Sequence, residues 1–185
     1  MDKKELRTYI KRKREELALE DILDKSNRIA NHIFEHPKFK NADEIYTYVS
    51  YNGEVDTIQI IKKALEEEKK VAVPKVIDDS MEFFYIYSMD QLSVGKYGIL
   101  EPNSKKKVEQ LQGLMIVPGV AFDRQCNRCG YGKGYYDKYF QRLGGNSIWK
   151  LALAYSFQIM PKIPTNELDI PVDEIITEDQ IIKKS

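Results

Sequence analysis

The run Arg128-Cys129-Gly130-Tyr131-Gly132-Lys133-Gly134-Tyr135-Tyr136-Asp137 places a flexible backbone, two cations and a carboxylate within one short stretch. Alternating Gly130, Gly132 and Gly134 allow repeated positive φ and let a ligand approach the backbone amides, which together can form an anion-binding nest. Arg128 offers a planar fork for phosphate and Lys133 a mobile point charge. Asp137 is a hard oxygen ligand suited to Mg²⁺ beside phosphates. Tyr135 and Tyr136 follow the cradle directly, where an aromatic face can stack on a ring. The set suits a Mg-nucleotide, yet it matches neither common phosphate motif. A Walker loop needs Ser or Thr after Gly-Lys, and the dinucleotide fingerprint spaces its glycines differently. A lone G-x-G-x-G is as readily a surface turn with a solvated lysine; Arg128 and Asp137 argue against that.

Three other groups can carry chemistry. Lys3, Lys4, Arg7, Lys11, Arg12, Lys13 and Arg14 make the first helix basic, with Lys3 and Arg7 on one face. The part from Lys11 to Arg14 reads first as a solvated charged face; RNA binding is the sharper reading, but no aromatic platform interleaves it. In Gly53-Glu54-Val55-Asp56-Thr57, Asp56 reads as the cap of the next helix. Glu54 has no such local task and can accept hydrogen bonds from a polar heterocycle. Asp169, Asp173 and Glu174 surround Pro171; they form an exposed turn or, if the segment packs by the glycine loop, supply a second Mg²⁺ ligand. Cys126 and Cys129 lack a nearby Cys/His pair for zinc and precede a glycine loop instead of opening a helix as redox pairs do, so they read as incidental.

The chain of 185 residues suits one domain with a continuous core. Its 29 basic and 29 acidic residues cancel, which disfavours a globally basic nucleic-acid binder. No run of about 20 apolar residues spans a membrane. The charged N-terminus and scarce cysteines predict a cytoplasmic, reduced protein.

The elements that must position these groups alternate. Asp2 and Glu5 predict a capped first helix carrying Leu6, Ile10 and Leu17 on its apolar face, and a second helix covers about 21–34, ended by His36-Pro37. A strand over 44–50, a helix opening at Asp56 and a strand over 71–73 ended by Pro74 predict a parallel crossover. Further strands are predicted over 81–87, 114–117, extended by 120–122, and 151–155, with a helix over 134–143. The glycine loop then lies between strand and helix, at the carboxyl end of a parallel sheet, with Glu54 facing the same crevice.

Val117-Pro118-Gly119-Val120-Ala121-Phe122-Asp123, followed by the run from Arg128 to Asp137, resembles the signature of the 5-formyltetrahydrofolate cyclo-ligase, or 5,10-methenyltetrahydrofolate synthetase, family. Lys3 to Arg7, Gly53 to Thr57, Gly98 to Pro102 and Pro171 to Glu174 extend the resemblance over nearly the whole chain. It implies a single-domain α/β fold of three layers, a mostly parallel sheet with helices on both faces, similar to the sugar-phosphate isomerase and CoA-transferase group. It further implies a Mg²⁺- and ATP-dependent conversion of 5-formyltetrahydrofolate to 5,10-methenyltetrahydrofolate. A monomer acting on these small molecules is expected, with no nucleic-acid or membrane partner. By resemblance, ATP is held by Lys3, Lys4, Arg7, Arg128, Gly130, Gly132, Lys133, Gly134, Tyr135 and Tyr136, with Lys133 and Arg128 catalytic. Folate is held by Val49, Tyr51 and Glu54, with Tyr131, Gly132, Lys133, Gly134 and Tyr135 bordering both ligands. Asp137 and Asp169 match metal ligands, with Asp173 the competitor for the second place. Two other readings are another Mg-ATP ligase or phosphotransferase on the same cradle, and a non-enzymatic RNA- or nucleotide-binding module built on the basic helix.

Overall fold

The computed structural model describes residues 1–144 and 148–184. Helix α1 (Lys3–Glu15) opens on the predicted capping box: Asp2 accepts from the Lys4 and Glu5 N–H groups, and the Glu5 side chain reaches back to the Asp2 N–H. It stops at Glu15, before Leu17, and α2 (Leu19–Glu35) begins earlier than predicted, with Glu20 and Asp21 in its first turn where the helix dipole favours acids. His36-Pro37 ends α2 and also starts a short helix, α3 (Pro37–Asn41), with proline at a position that needs no N–H.

Strand β1 (Glu44–Thr47), helix α4 (Ile58–Glu66) and strand β2 (Lys70–Ile77) form the predicted crossover, β1 and β2 pairing in parallel with Glu44 opposite Lys70. Asp56 is not itself the cap residue. Thr57 holds that place, and Asp56 Oδ1 accepts from the Ile58 N–H at 2.9 Å. Nor does Pro74 end β2. The pairing with β1 stops at Ala72, and beyond it β2 runs on against β3 (Ser80–Ile86) alone, so a residue without an N–H is tolerated there.

A two-stranded ribbon, β4 (Leu92–Val94) with β5 (Leu100–Pro102), follows, and the chain then returns to the main sheet at β6 (Leu114–Val117). The segment after β6 does not extend it. β7 (Ala121–Asp123) and β8 (Arg128–Cys129) instead form a hairpin in a second sheet, completed by β10 (Ile159–Met160). Between them lie α5 (Tyr135–Leu143) and β9 (Trp149–Leu153), and β11 (Glu174–Ile176) and β12 (Ile181–Lys183) close the main sheet. Its order is β12-β11-β9-β6-β1-β2-β3, parallel except at the two outer pairs.

Strand periodicity sorts the core into two layers. Ile45, Ile116, Leu151 and Leu153 meet Ile29 and Ile33 of α2 and Ile60 and Ile61 of α4 on one face. Tyr46, Met115, Val117 and Ala152 meet Tyr139 and Phe140 of α5 on the other. The three-layer α/β expectation therefore holds. Helix α1 lies outside these layers, burying Leu6 and Ile10 against Ala121 and Cys129 of the hairpin.

Glu178, just past β11, fastens α2 to the carboxyl end of the sheet. It accepts from Lys25 Nζ at 2.6 Å and from Ser156 Oγ and N, each at 2.8 Å. Burial opposes its charge, but Lys25 and Ser156 hold its carboxyl below the ordinary 4.5. Glu178→Gln is expected to lower stability by about 1.5–3 kcal/mol near neutral pH. A depressed folded-state pKa stabilises above the unfolded value and is lost as pH falls through the folded one. The difference between wild type and variant should therefore shrink as pH falls from 4.5 through the folded-state value, as urea unfolding across that range will read; a constant difference contradicts it.

Candidate active site

The chain leaves β1 toward β2 and β3 and returns on the other side of β1 at β6, so strand order reverses between β1 and β6. Ligand crevices in open parallel sheets form outside the carboxyl ends at such a point. After β1, Asn52 and Gly53 take φ of 50° and 77° in a tight turn closed from the Glu54 N–H to the Tyr51 carbonyl at 3.2 Å. After β6 comes Gly119, where a Cβ would lie 2.4 Å from Phe122 Cζ. Its carbonyl accepts from Gln158 Nε2 at 3.2 Å and Arg14 Nη2 at 3.1 Å.

The β7–β8 hairpin aims the glycine loop at this crevice. Asp123 shapes its turn, accepting from the Gln125 and Asn127 N–H groups at 3.0 Å. Arg128 on β8 is only 7% exposed; its Nη2 donates to Asp137 Oδ1 at 2.9 Å. Gly132 and Gly134 have the expected positive φ, 106° and 66°, but Gly130 does not. At Gly130 the constraint is on its neighbour: a Cβ there would stand 2.9 Å from Arg128 Nη1, so the guanidinium would have to shift. Lys133 is exposed and makes no ion pair among the described residues, leaving its charge available to a ligand.

Helix α1 grips the loop from one side. Arg7 Nε donates to the Gly130 carbonyl at 2.8 Å, and Lys3 Nζ lies 2.5 Å from Asp169 Oδ2. With Arg128, Lys133, Tyr135 and Asp137 these side chains line one cleft of 490 Å³. Tyr136 contributes a wall, its ring under the Arg128 guanidinium at 5.9 Å and against Phe83 at 6.2 Å. Lys4 is not brought in; it projects from another face of α1 beside Thr8 and Arg12.

Asp137 and Asp169 share this cleft, and the Ile170 N–H donates to Asp137 Oδ1 at 3.0 Å. Asp173 is elsewhere, paired with Lys150 at 3.1 Å. Burial works against the Asp169 charge, but Lys3, the Asn166 N–H and Arg128 together hold its carboxyl below the ordinary 3.8. Among the described residues no cluster of three or more His, Cys, Asp or Glu could hold a metal. Two carboxylates, each beside a cation, do not make a protein cage. They fit Mg²⁺ that arrives with phosphates and keeps water in its shell.

On the far side of the loop, Glu54 is joined to it by Tyr131. The Tyr131 hydroxyl donates to Glu54 Oε1 at 2.6 Å and accepts from Arg14 Nη1 at 2.7 Å, while the Tyr51 N–H donates to Glu54 Oε2 at 2.9 Å. Burial pushes the Glu54 carboxyl up, opposed by Tyr131 and the Tyr51 N–H. The Tyr51 side chain is exposed near Gly98, whereas Val49 is packed into the core beneath the turn. Cys126 and Cys129 are free, buried in different clusters, and burial raises the Cys126 thiol to about 11.

A model of the 5-formyltetrahydrofolate cyclo-ligase family matches residues 1–178. The chain belongs to this family. A probable 5-formyltetrahydrofolate cyclo-ligase of Caenorhabditis elegans is 33% identical, over 97% of this chain and 94% of the relative. The 5-formyltetrahydrofolate cyclo-ligase of Mus musculus is 30% identical, over 96% and 94%. The solved structure of Aquifex aeolicus 5,10-methenyltetrahydrofolate synthetase superposes with a TM-score of 0.87 at 34% identity, covering 99% of this chain and 93% of that one. The chain is thus an enzyme of this family, and no described helix is long and apolar enough to cross a membrane.

The residue missed from sequence is Arg14, which the fold turns toward Tyr131 and Gly119. A signal was present: Arg14 follows Ile10 by four positions, as Arg7 follows Lys3, so all three basic residues flank the stripe of Leu6 and Ile10.

Proposed function

We propose that this cleft binds Mg-ATP beside the head of 5-formyltetrahydrofolate and closes the latter to 5,10-methenyltetrahydrofolate, releasing ADP and phosphate. The observation carrying this reading is the convergence of Lys3, Arg7, Arg128 and Lys133 with two carboxylates on one side of Tyr131, and Glu54 on the other. The formyl oxygen attacks the γ-phosphorus and ADP leaves. The N10 nitrogen then adds to the formyl carbon and gives up its proton to solvent, and the oxygen departs as phosphate, leaving the methenyl cation. An amide-like oxygen is a poor leaving group, so phosphorylation removes the main barrier, and no protein nucleophile is required.

The protein's work is alignment and charge stabilisation. Lys133 and Arg128 face the phosphate charge that grows during transfer, Lys3 and Arg7 hold the nucleotide, and Glu54 accepts hydrogen bonds from the pteridine. Mg²⁺ held by Asp137 and Asp169 would neutralise phosphate charge. We expect a monomer acting on small molecules, and the buried free thiols suit a reducing cytoplasm.

Incubation with 5-formyltetrahydrofolate and Mg-ATP is expected to give the methenyl chromophore with equimolar ADP; neither product from fully folded protein overturns the reading. Glu54→Gln is expected to raise KM for folate about tenfold or more and that for ATP much less, since a neutral amide replaces a charged acceptor. Equal effects on both constants would remove Glu54 from the folate side.

A further inference from the structure

Asp173 stays out of the catalytic cleft, yet the segment 169–173 joins it directly to Asp169, which lines that cleft. Every backbone N–H along this strap is engaged. Asp169 donates to the Asn166 carbonyl at 3.2 Å, Ile170 to Asp137 Oδ1 at 3.0 Å, Val172 to the Cys126 carbonyl at 3.0 Å and Asp173 to the Lys150 carbonyl at 2.8 Å. Pro171 has no N–H and a nearly fixed φ, so the strap has little freedom to bend. Its far end is locked at the amino end of the sheet, where β9 begins and just before β11. Asp173 Oδ2 accepts from the Lys150 N–H at 2.7 Å and lies 3.1 Å from Lys150 Nζ. That ammonium also stands 5.9 Å from the centre of the Phe140 ring, on the helix that carries Asp137. Lys150 and Asp173 line a cavity of 610 Å³ that shares no described residue with the catalytic cleft, which removes both from contact with a ligand held there.

Asp137 thus rides on α5 and Asp169 on the strap, and the Lys150–Asp173 pair ties these two elements together at the end remote from the cleft. We propose that this pair sets the separation of the two cleft carboxylates, Lys150 and Asp173 being positioning residues that act from the opposite end of the sheet. What the spacing does for catalysis rests on the Mg-ATP reading above: a Mg²⁺ that arrives with phosphates meets both carboxylates at one separation only. Stability alone is a weak account of the pair, because desolvating an ammonium as buried as that of Lys150 offsets much of its attraction to a carboxylate. Coupling between distant groups is carried by packed side chains, hydrogen bonds and stiff segments of this kind. Groups that orient a metal's ligands without touching the metal are worth about tenfold or more in its affinity.

Amide hydrogen exchange reads the bond from Ile170 to Asp137 directly in the ligand-free protein. Asp173→Ala is expected to speed exchange at Ile170 about tenfold and to raise the Mg²⁺ concentration for half-maximal turnover about tenfold. Asp173→Asn keeps an acceptor for the Lys150 N–H but not the charge, and should shift both readings the same way by about threefold, part of one hydrogen bond. It also decides the matter if the alanine variant does not fold. Glu178→Gln controls for lost stability alone, since Glu178 ties down α2 and not the strap, and should leave both readings unchanged. Ile170 exchange no faster in the Asp173 variants than in Glu178→Gln overturns the positioning role, as does faster exchange with an unmoved Mg²⁺ requirement. If the unaltered protein makes no methenyl product, the Mg-ATP and folate reading falls, and exchange at Ile170 by itself upholds or overturns the positioning role.

Discussion

Lys133→Ala is expected to lower kcat for methenyltetrahydrofolate formation about 30- to 1000-fold, a loss of roughly 2–4 kcal/mol of transition-state stabilisation. The size follows from its setting. Lys133 stands on a loop already fixed by Arg7 and Arg128, and it is exposed with no ion pair among the described residues. Its charge therefore has no structural task to be lost with it, and the melting temperature should scarcely move. Because phosphate charge grows on transfer, kcat should fall more than the KM for ATP rises. Steady-state kinetics with either substrate varied will separate the two, and a pure KM effect would make Lys133 a binding residue only.

Arg128→Met should cost both stability and turnover. It leaves Asp137 partly buried beside an apolar chain, and breaking such a pair by removing one partner destabilises by about 3–5 kcal/mol at full burial. The side chains here are 5% and 18% exposed, which places the expectation near the lower end of that range. For a domain of this size that is a fall of roughly 5–12 °C in melting temperature. Adding Asp137→Asn should restore much of the stability without restoring turnover, since the stranded charge is gone but the phosphate fork is still missing. Recovery of activity in the double variant would mean that Arg128 acts only through Asp137.

Much of this was legible in the sequence because local chemistry decided it. The capping box at Asp2 and Glu5, the short apolar run of β6, and the glycine loop ahead of α5 all follow from neighbours a few residues apart. The errors arose where a distant partner decides. Pro74 reads as a strand end until β3 supplies an antiparallel neighbour, and residues 120–122 read as a continuation of β6 until β8 and β10 draw them into another sheet. Gly130 fits its place through the bulk of Arg128 and not through φ, a contact no motif displays. The choice of Asp169 over Asp173 for the cleft depends on Lys3 and Asp137, far away in sequence, and Arg14 is selected by a tyrosine beyond β8.

Helix α1 meets the rest of the site across very long spans: 123 positions separate Arg7 from Gly130, and 166 separate Lys3 from Asp169. Chain closure over such spans is entropically later and slower than closure of local units such as β1–α4–β2. A nascent or half-folded chain can thus hold a recognisable sheet while its cations remain dispersed. On the proposed reading, competence to consume ATP arrives with the last long-range contacts, so immature molecules would have no assembled centre in which to hydrolyse it idly.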